Sequence, residues 1–258
     1  MRRRILLGGA GAAMAAAAAV AGYRGRTANP EPVIPAAPPG DERLEQRVSR
    51  FRGTTVDFYT AVPDGYGAGR GLPVCLVLHG GSKRPADFAG LGLGRFLTDA
   101  VRRGAPPFVL AGADGDQLAW RPDGADDPQR MVHEEIPVWC RQRGFDARRT
   151  AAVGWSMGGY GSLLLAEAYP GFLRGVAAFS PAVTIGEDVT GAVGRLRGTP
   201  VGLWCGKQDG LYKYVRAFEE TLPQPKAAGS YADGRHNFGY WSTCVPSAFD
   251  FLAQALHR

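Results

Sequence analysis

The sequence predicts an α/β fold with a mostly parallel central sheet and helices on both of its faces. Of the 258 residues, 45% are hydrophobic and 21% are charged, a balance that supports a sizeable core and argues against disorder. Short apolar runs alternate along the chain with longer amphipathic stretches, which is the pattern of repeated βα units. The apolar runs show little polar alternation, as expected of parallel strands buried on both faces.

The predicted strands and helices alternate along the chain, and right-handed crossovers would place the strands in a single sheet. Each predicted strand is a short apolar run, and the first of them ends at Pro63. Strands are predicted at residues 54–62, 73–78, 108–113, 150–154, 175–179, 200–205 and 227–232. Helices are predicted at residues 86–103, 131–143, 157–169, 211–222 and 241–257. Because ligands of such sheets bind at the carboxyl ends of the strands, candidate functional residues are sought directly after each strand.

Residues 1–21 are predicted to be a signal peptide outside the fold. Arginines at positions 2–4 precede an uncharged stretch at 5–21 that is made mostly of Ala and Gly. Such residues gain little on entering a bilayer, so no stable membrane span is expected after cleavage, and an uncleaved anchor is the alternative. The paired arginines resemble a twin-arginine signal. We therefore expect a protein that is secreted or located in the cell envelope.

A proline-rich linker is predicted at 22–40 and a single globular domain at 41–258. The linker carries five prolines, which lack the amide donor and favour an extended chain. The net charge is +6, but residues 1–40 carry five arginines and one glutamate, so the domain carries only 6 − 4 = +2. The excess of basic residues belongs mostly to the N-terminal segment, and no nucleic-acid partner is expected.

A candidate nucleophile lies in the Gly-x-Ser-x-Gly motif at 154–158, directly between a predicted strand and a predicted helix. A tight turn that holds a serine in a strained conformation needs small neighbours two residues to either side, and glycines occupy both positions. The motif therefore predicts that Ser156 is a nucleophile. The Met157 amide would lie at the helix N-terminus, where an oxyanion is favoured. The alternative is a glycine-rich turn with a capping serine.

The candidate base is His236, one of only four histidines. It lies in a loop between the last predicted strand and the last predicted helix, from which an imidazole can reach the strand ends. The other three are less suitable, because His257 is next to the C-terminus, His79 belongs to a glycine-rich turn and His133 falls in a helical pattern. A surface histidine is the alternative for His236.

The candidate acid is Asp209, which follows the predicted strand at 200–205. A carboxylate at a strand end can accept the Nδ1–H of the histidine and fix its tautomer. Asp188 is the second candidate, although no strand signal precedes it. A helix N-cap is the alternative role for Asp209. The resulting order of serine, aspartate and histidine is the order of α/β-hydrolases.

An oxyanion hole and a substrate pocket are predicted beside these residues. The turn at 79–82 contains two glycines, whose backbone amides can point into a site without a side chain in the way. The amide of Gly81, or that of Ser82, would act together with the Met157 amide. Two tryptophans are candidate substrate contacts: Trp120, in a loop that follows another strand, and Trp155. Core packing is the alternative for both.

These motifs resemble those of the α/β-hydrolase superfamily over residues 54–258. Within it, the segments 78–81, 155–161 and 236–241 resemble a group of esterases that includes esterase D-like enzymes and secreted antigen 85-type mycolyltransferases of actinobacteria. The resemblance implies an α/β-hydrolase fold. Many lipases insert a lid domain between the fifth and sixth predicted strands, but only twenty residues lie there, so no lid domain is expected. Mycolyltransferases typically use Glu as the acid, whereas the best candidate here is Asp209.

We therefore expect a serine carboxylesterase-like hydrolase that acts on a small-molecule or lipid ester. Ser156 would attack the carbonyl, His236 would pass the proton to the leaving alcohol, and Asp209 would orient the imidazole. One alternative is an acyltransferase of the mycolyltransferase type, in which a hydroxyl group replaces water. The other is a non-catalytic cell-envelope binding protein on a hydrolase scaffold.

The sequence shows no pattern typical of a metal or cofactor site. It contains no His-x-x-x-His, no Cys-x-x-Cys and no P-loop, so neither a metal nor a cofactor is expected. An exported protein could oxidise its four cysteines. If a disulfide forms, the favoured pair is Cys205 with Cys244, because both flank the candidate loops, whereas Cys75 is predicted to be a buried thiol.

Overall fold

A computed structural model describes residues 31–184 and 191–258 of the chain. Its centre is a seven-stranded sheet in the order β1-β2-β4-β3-β5-β6-β7. The strands are β1 (Asp41–Ser49), β2 (Thr54–Val62), β3 (Pro73–Leu78), β4 (Val109–Ala113), β5 (Asp146–Trp155), β6 (Val176–Phe179) and β7 (Val201–Trp204). The longer helices of the described residues are α1 (Leu93–Arg102), α2 (Ile136–Gln142), α3 (Met157–Ala168), α4 (Tyr212–Thr221) and α5 (Phe238–His257).

The predicted fold class is confirmed, because most of the sheet is parallel and helices cover both faces. Strands β4, β3, β5, β6 and β7 run parallel, while β1 and β2 form an antiparallel edge. Helices α1 and α5 pack on one face and α2, α3 and α4 on the other. Along β3, Leu76 belongs to one core cluster and Val77 to the other, so the whole strand is apolar. Residues 180–200, which join β6 to β7, are too few for a lid domain.

Six of the seven predicted strands occur, and the strand predicted at 227–232 is wrong. Amides of β7 and of the residues after it donate to carbonyl oxygens at positions 228, 230 and 232. Only the Ala227 amide donates back, to Val201. Gly229 has a φ of +119°, which interrupts the extended backbone. The segment therefore lies along the sheet as an irregular chain and not as a strand.

The sequence did not predict β1, because its charged composition shows no apolar run. It is an edge strand in which five of nine residues are charged, and this composition protects an open sheet edge. Three helix starts also differ from the prediction. Helix α2 starts at Ile136, after a π-helical turn at Met131–Glu135, although the helix was predicted from residue 131. Helix α1 starts at Leu93, after a separate 3-10 turn at Pro85–Asp87. Helix α5 starts at Phe238, where the Asn237 side chain accepts a hydrogen bond from the Tyr240 amide.

Residues 31–40, the end of the predicted linker, form an irregular segment that lies against the domain. The Val33 amide donates to Ser242 Oγ at 3.0 Å, and Ala37 is buried. The predicted signal peptide lies outside the described residues. Among the residues that the structure describes, no helix is both long and apolar enough to cross a membrane.

Candidate active site

Ser156 occupies a tight turn between β5 and α3, and its backbone is strained. Its φ and ψ are +55° and −119°, a combination that L residues seldom adopt. The Ser156 amide donates to the Phe179 carbonyl oxygen at 2.9 Å, and its carbonyl accepts from the Ala182 amide at 3.0 Å. These bonds to the neighbouring strand end keep the turn in place and direct the Ser156 side chain towards the carboxyl edge of the sheet.

The two glycines of the motif are required by close backbone contacts. A Cβ added to Gly158 would overlap the carbonyl oxygen of Leu78, at the end of β3. A Cβ added to Gly154 would overlap the carbonyl oxygen of Gly158 itself. The spacing predicted from the sequence therefore has the expected physical cause, which is the lack of space on either side of Ser156.

His236 lies beside Ser156, although 80 residues separate them in the chain. The Ser156 hydroxyl donates to His236 Nε2 at 2.8 Å, and His236 Nδ1–H donates to Asp209 Oδ2 at 2.9 Å. The imidazole is partly exposed, so a substrate can approach its Nε2 side. The structure thus brings together all three side chains that the sequence singled out. Asp188, the second candidate acid, lies outside the described residues.

Asp209 is placed to stay ionised. Its side chain is fully buried, and its Oδ1 accepts from the Leu211 amide at 2.8 Å. Burial alone would raise the pKa of Asp209, but hydrogen bonds from His236, Ser180 and the Leu211 amide outweigh it and lower that pKa below its ordinary value. A buried carboxylate in this state fixes the histidine tautomer in which Nδ1 carries the proton.

The loop that carries His236 is tied to the loop that carries Asp209. Gln208 spans the two: its backbone amide donates to the Gly234 carbonyl oxygen at 3.0 Å, and its Oε1 accepts from the Gly234 amide at 2.6 Å. Gly206 lies so close that a Cβ there would overlap the Gly234 carbonyl. The two loops therefore form one unit at the end of β7.

Gly81 and Met157, the two predicted oxyanion-hole residues, are neighbours at the site. A Cβ on Gly81 would lie 3.9 Å from Met157 Sδ, which shows how close the two residues are. Within the described part of the chain, neither amide donates to a protein acceptor. Gln117 Nε2 donates to the Gly81 carbonyl oxygen at 2.7 Å and so holds this peptide unit.

Trp120 and Trp155 are in the core, so direct substrate contact by either residue, as the sequence suggested, is wrong for this conformation. Trp120 is fully buried, and its indole N–H donates to the His79 carbonyl oxygen at 3.1 Å. Trp155 is 4% exposed and packs edge-on against Phe88 at a ring-centroid distance of 5.7 Å. Both indoles pack against the turn at 79–82, on the side of the turn that faces the core. An aromatic residue near a motif gives no local signal of which way it points.

The other histidines have structural positions. His79 is fully buried, and its Nε2 accepts from the Gly115 amide at 2.9 Å, which ties the glycine-rich turn to the loop after β4. His133 stacks on Tyr169 at a centroid distance of 3.7 Å. His257 lies at the end of α5, where its Nε2 contacts the Pro107 carbonyl oxygen at 3.0 Å. None of them contacts Ser156.

All four cysteines are buried free thiols in this structure, so the pair favoured in the event of a disulfide, Cys205 with Cys244, is not bonded. Cys205 Sγ is 3.8 Å from the Gly206 carbonyl oxygen, and Cys244 Sγ is 3.8 Å from Thr243 Oγ1. Burial raises the pKa of Cys205 to about 12 and that of Cys140 to about 12. These thiols are therefore neutral and poor nucleophiles.

Sequence reasoning missed Ser180, the residue that follows β6. Its hydroxyl accepts from the Trp241 indole N–H at 2.9 Å, and the indole ring packs edge-on against His236 at a centroid distance of 4.9 Å. A signal was present, because Ser180 directly follows a predicted strand, where functional residues of such sheets are sought. Gln117 and Gln208 carried no signal of this kind.

The fold and the strained serine turn are those of the α/β-hydrolase class. The sequence profile of the family described as "Putative esterase" matches residues 49–213. The chain therefore belongs to this esterase family and is a hydrolase of the carboxylesterase type, as the sequence predicted. No curated protein matches the chain.

Solved structures share this fold at low sequence identity. A ferulic acid esterase has a TM-score of 0.75 and 16% identity, covering 84% of this chain and 98% of its own. S-formylglutathione hydrolase (FrmB) from Staphylococcus aureus has a TM-score of 0.65 and 15% identity, covering 83% and 100%. Mycobacterium tuberculosis MPT51 (FbpC1) has a TM-score of 0.65 and 15% identity, covering 84% and 99%. At these identities the similarity shows the fold alone.

Proposed function

We propose that the protein hydrolyses carboxylic esters of small molecules or lipids through an acyl-enzyme. Ser156 is the nucleophile, His236 the general base and acid, and Asp209 the orienting carboxylate. The observation that carries this proposal is the unbroken hydrogen-bond chain from Ser156 Oγ to His236 Nε2 at 2.8 Å and from His236 Nδ1 to Asp209 at 2.9 Å. A nucleophile, a base and an orienting group within hydrogen-bond reach are what activation of a serine requires.

Acylation begins when Ser156 Oγ attacks the ester carbonyl while His236 Nε2 takes the hydroxyl proton. The carbonyl oxygen becomes an oxyanion, which the Gly81 and Met157 amides stabilise. Backbone donors that are already held in place need no reorganisation in the transition state. The tetrahedral intermediate then expels the alcohol, which takes the proton from His236, and the acyl group stays on Ser156.

Deacylation repeats the same steps with water. His236 takes a proton from a water molecule, whose oxygen attacks the acyl carbon. The second tetrahedral intermediate collapses, Ser156 recovers its proton and the carboxylic acid leaves. The Asp209 carboxylate stays ionised throughout and stabilises the imidazolium that forms in each half of the reaction.

The proposal is tested by the Ser156→Ala variant and by a fluorophosphonate probe. Wild-type protein should hydrolyse p-nitrophenyl acetate and become labelled at Ser156, whereas Ser156→Ala should lose at least about 10³-fold in kcat and all labelling. Ser242→Ala is the matched control, because its hydroxyl is buried and is hydrogen-bonded to the Val33 amide and the Gly239 carbonyl oxygen. Wild-type turnover in Ser156→Ala, or labelling at another residue, would contradict the proposal.

Two other functions are alternatives for this site: acyl transfer and non-catalytic binding. An acyltransferase would form the same acyl-enzyme, so products must be compared with and without an added sugar or glycerol acceptor. An ester of that acceptor as the main product would favour transfer. A non-catalytic binding protein is disfavoured, because all three side chains are in hydrogen-bond contact. A lack of fluorophosphonate labelling would favour it.

We also propose that the protein is exported and acts outside the cytoplasm. The support is the sequence of residues 1–21, with its arginines followed by an uncharged Ala- and Gly-rich stretch. The test is to determine the N-terminal residue of the protein recovered from three fractions: the culture medium, the cell envelope and the cytoplasm. A full-length chain confined to the cytoplasm would contradict it.

A further inference from the structure

The loop at 114–120, which follows β4, is attached to the glycine-rich turn at 79–82. Near one end of the loop, the Gly115 amide donates to His79 Nε2 at 2.9 Å. Near the other end, the indole N–H of Trp120 donates to the His79 carbonyl oxygen at 3.1 Å. Both bonds are buried, so the loop and the first residue of the turn are fixed relative to each other.

Three residues of this loop have backbone conformations that L residues seldom adopt. Their φ values are +52° at Asp116, +52° at Ala119 and +58° at Trp120. The Asp116 amide donates to Asp114 Oδ1 at 2.8 Å, which helps to hold the strained backbone. Strain of this kind persists only where the surroundings require it, and it clusters at functional sites. Gln117 lies between the strained positions, so the direction of its side chain is the feature to explain.

The Gln117 side chain is exposed and lies over Gly81. Its Nε2 donates to the Gly81 carbonyl oxygen at 2.7 Å, and a Cβ added to Gly81 would come within 3.2 Å of its Oε1. The Gly81 carbonyl belongs to the planar peptide unit that joins Gly81 to Ser82, so the bond from Gln117 fixes the orientation of the whole unit.

The peptide unit on the other side of Gly81 is held as well. Its oxygen, the Gly80 carbonyl, accepts from the Lys83 amide at 3.2 Å and lies 3.0 Å from His79 Nδ1. A carbonyl oxygen only accepts, so His79 Nδ1 carries a proton and donates it. Glycine has the widest choice of backbone conformations. The conformation of Gly81 is therefore restricted by anchors on both sides, and Gln117 supplies one of them.

We propose that Gln117 is a positioning residue for ester hydrolysis, whose side-chain amide fixes the conformation of Gly81 and so keeps the oxyanion-hole amide in place. This inference rests on the proposed function, in which the Gly81 amide stabilises the oxyanion. Donors that are already in place stabilise a developing charge without reorganising in the transition state. Without its anchor, Gly81 visits other conformations. The transition state then loses stabilisation, whereas binding of the substrate ester is unchanged.

Removal of the Gln117 amide should therefore lower kcat and leave KM almost unchanged. With p-nitrophenyl acetate, Gln117→Ala should lose about tenfold in kcat, less than the 10²- to 10³-fold that loss of a whole oxyanion-hole donor costs, and keep KM within about twofold. Gln117→Glu has the same size, but its carboxylate can only accept at about pH 8 and faces the Gly81 carbonyl oxygen. It should lose about 30-fold in kcat.

The readout specific to the oxyanion is inhibition by a trifluoromethyl ketone, compared with the matching methyl ketone. The Ser156 oxygen adds to the carbonyl of the trifluoromethyl ketone and forms a hemiketal oxyanion, whereas the methyl ketone binds without addition. In Gln117→Ala, the Ki of the trifluoromethyl ketone should rise by the same factor of about ten by which kcat falls. The Ki of the methyl ketone should change by less than about twofold.

The matched control for this experiment is Gln224→Ala. Its side-chain amide also holds backbone carbonyl oxygens, those of Leu196 and Thr199, but these residues precede β7, whereas the candidate site follows the strand ends. This variant should keep wild-type kcat and both Ki values. Thermal unfolding is measured for every protein and should show a folded Gln117→Ala, because the residue is exposed.

The inference is supported if kcat and the affinity for the trifluoromethyl ketone fall together in both Gln117 variants while the affinity for the methyl ketone is unchanged. Wild-type kcat and Ki in Gln117→Ala would overturn it. An equal loss of affinity for both ketones would overturn it too, because that pattern indicates a general distortion of the site. Failure of the proposed function is seen separately, since wild-type protein would then not be labelled by the fluorophosphonate probe.

Discussion

The Ser156 turn and the two loops that carry Asp209 and His236 are built in opposite ways. Around Ser156, the turn depends on the glycines two positions to either side, where any side chain would overlap backbone atoms, including the Leu78 carbonyl oxygen at the end of β3. Asp209 and His236 are 27 residues apart, and their loops are joined by hydrogen bonds such as that from the Gly234 amide to Gln208 Oε1. One region is thus limited by the lack of space at two fixed positions beside Ser156, and the other is held by hydrogen bonds between two loops.

This difference teaches how each region should respond to substitution. In a turn without spare space, one added atom should lower both the stability of the protein and its activity. Loops that are positioned by several hydrogen bonds should lose only part of their activity when one bond is removed, and the protein should stay folded. The strongest test of this contrast compares the two regions by both stability and kcat.

The largest effect is expected from Gly158→Ala. The added Cβ would overlap the Leu78 carbonyl oxygen at the end of the central strand β3, which cannot move without disturbing the sheet. We expect a loss of at least about 3 kcal/mol in the free energy of unfolding, measured by urea denaturation, together with loss of activity. Gly194→Ala is the control, because nothing lies within 4 Å of a Cβ added there. Wild-type stability in Gly158→Ala would show that the turn has space to spare.

A smaller effect on stability, but a large one on kcat, is expected from Asp209→Asn. The neutral amide cannot stabilise an imidazolium, and it can hold His236 in the wrong tautomer. We expect kcat with p-nitrophenyl acetate to fall by at least about 10²-fold while the protein stays folded, as judged by circular dichroism. Asp188→Asn serves as the control and should change kcat by less than about fivefold. If the two variants behave the other way round, Asp188 is the orienting acid.

The smallest effect is expected from Gln208→Ala, which removes one of several links between the two loops. The backbone bond from the residue 208 amide to the Gly234 carbonyl oxygen at 3.0 Å remains. We expect kcat to fall by about threefold with KM unchanged, because the His236 imidazole becomes more mobile but stays in the site. Gln224→Ala is the matched control, since its side-chain amide is also hydrogen-bonded to the backbone of another segment, here the Leu196 and Thr199 carbonyl oxygens, but lies away from His236. A loss as large as that of Asp209→Asn would mean that Gln208 alone positions the loop.

The sequence by itself determined the features that depend on near neighbours. Apolar runs predicted six strands of the sheet, because strands covered on both faces must be apolar throughout. Helical periodicity located the five longer helices, although α1, α2 and α5 start at other residues than predicted. The glycine spacing singled out Ser156, because a strained turn needs room at fixed offsets. Asp209 and His236 drew attention because they follow the predicted strands at 200–205 and 227–232, although the second of these is not a strand in the structure.

Only the tertiary structure decided which distant residues meet. The charged edge strand β1 exists because β2 offers it a partner, and the segment 227–232 stays irregular because Gly229 interrupts its backbone. Trp120 points into the core, whereas Trp241 reaches Ser180 and His236. Side-chain direction in such cases depends on the order of strands in the sheet and on packing between elements far apart in the chain. Local spacing carries no information about either, so these contacts appear only when the whole chain has folded.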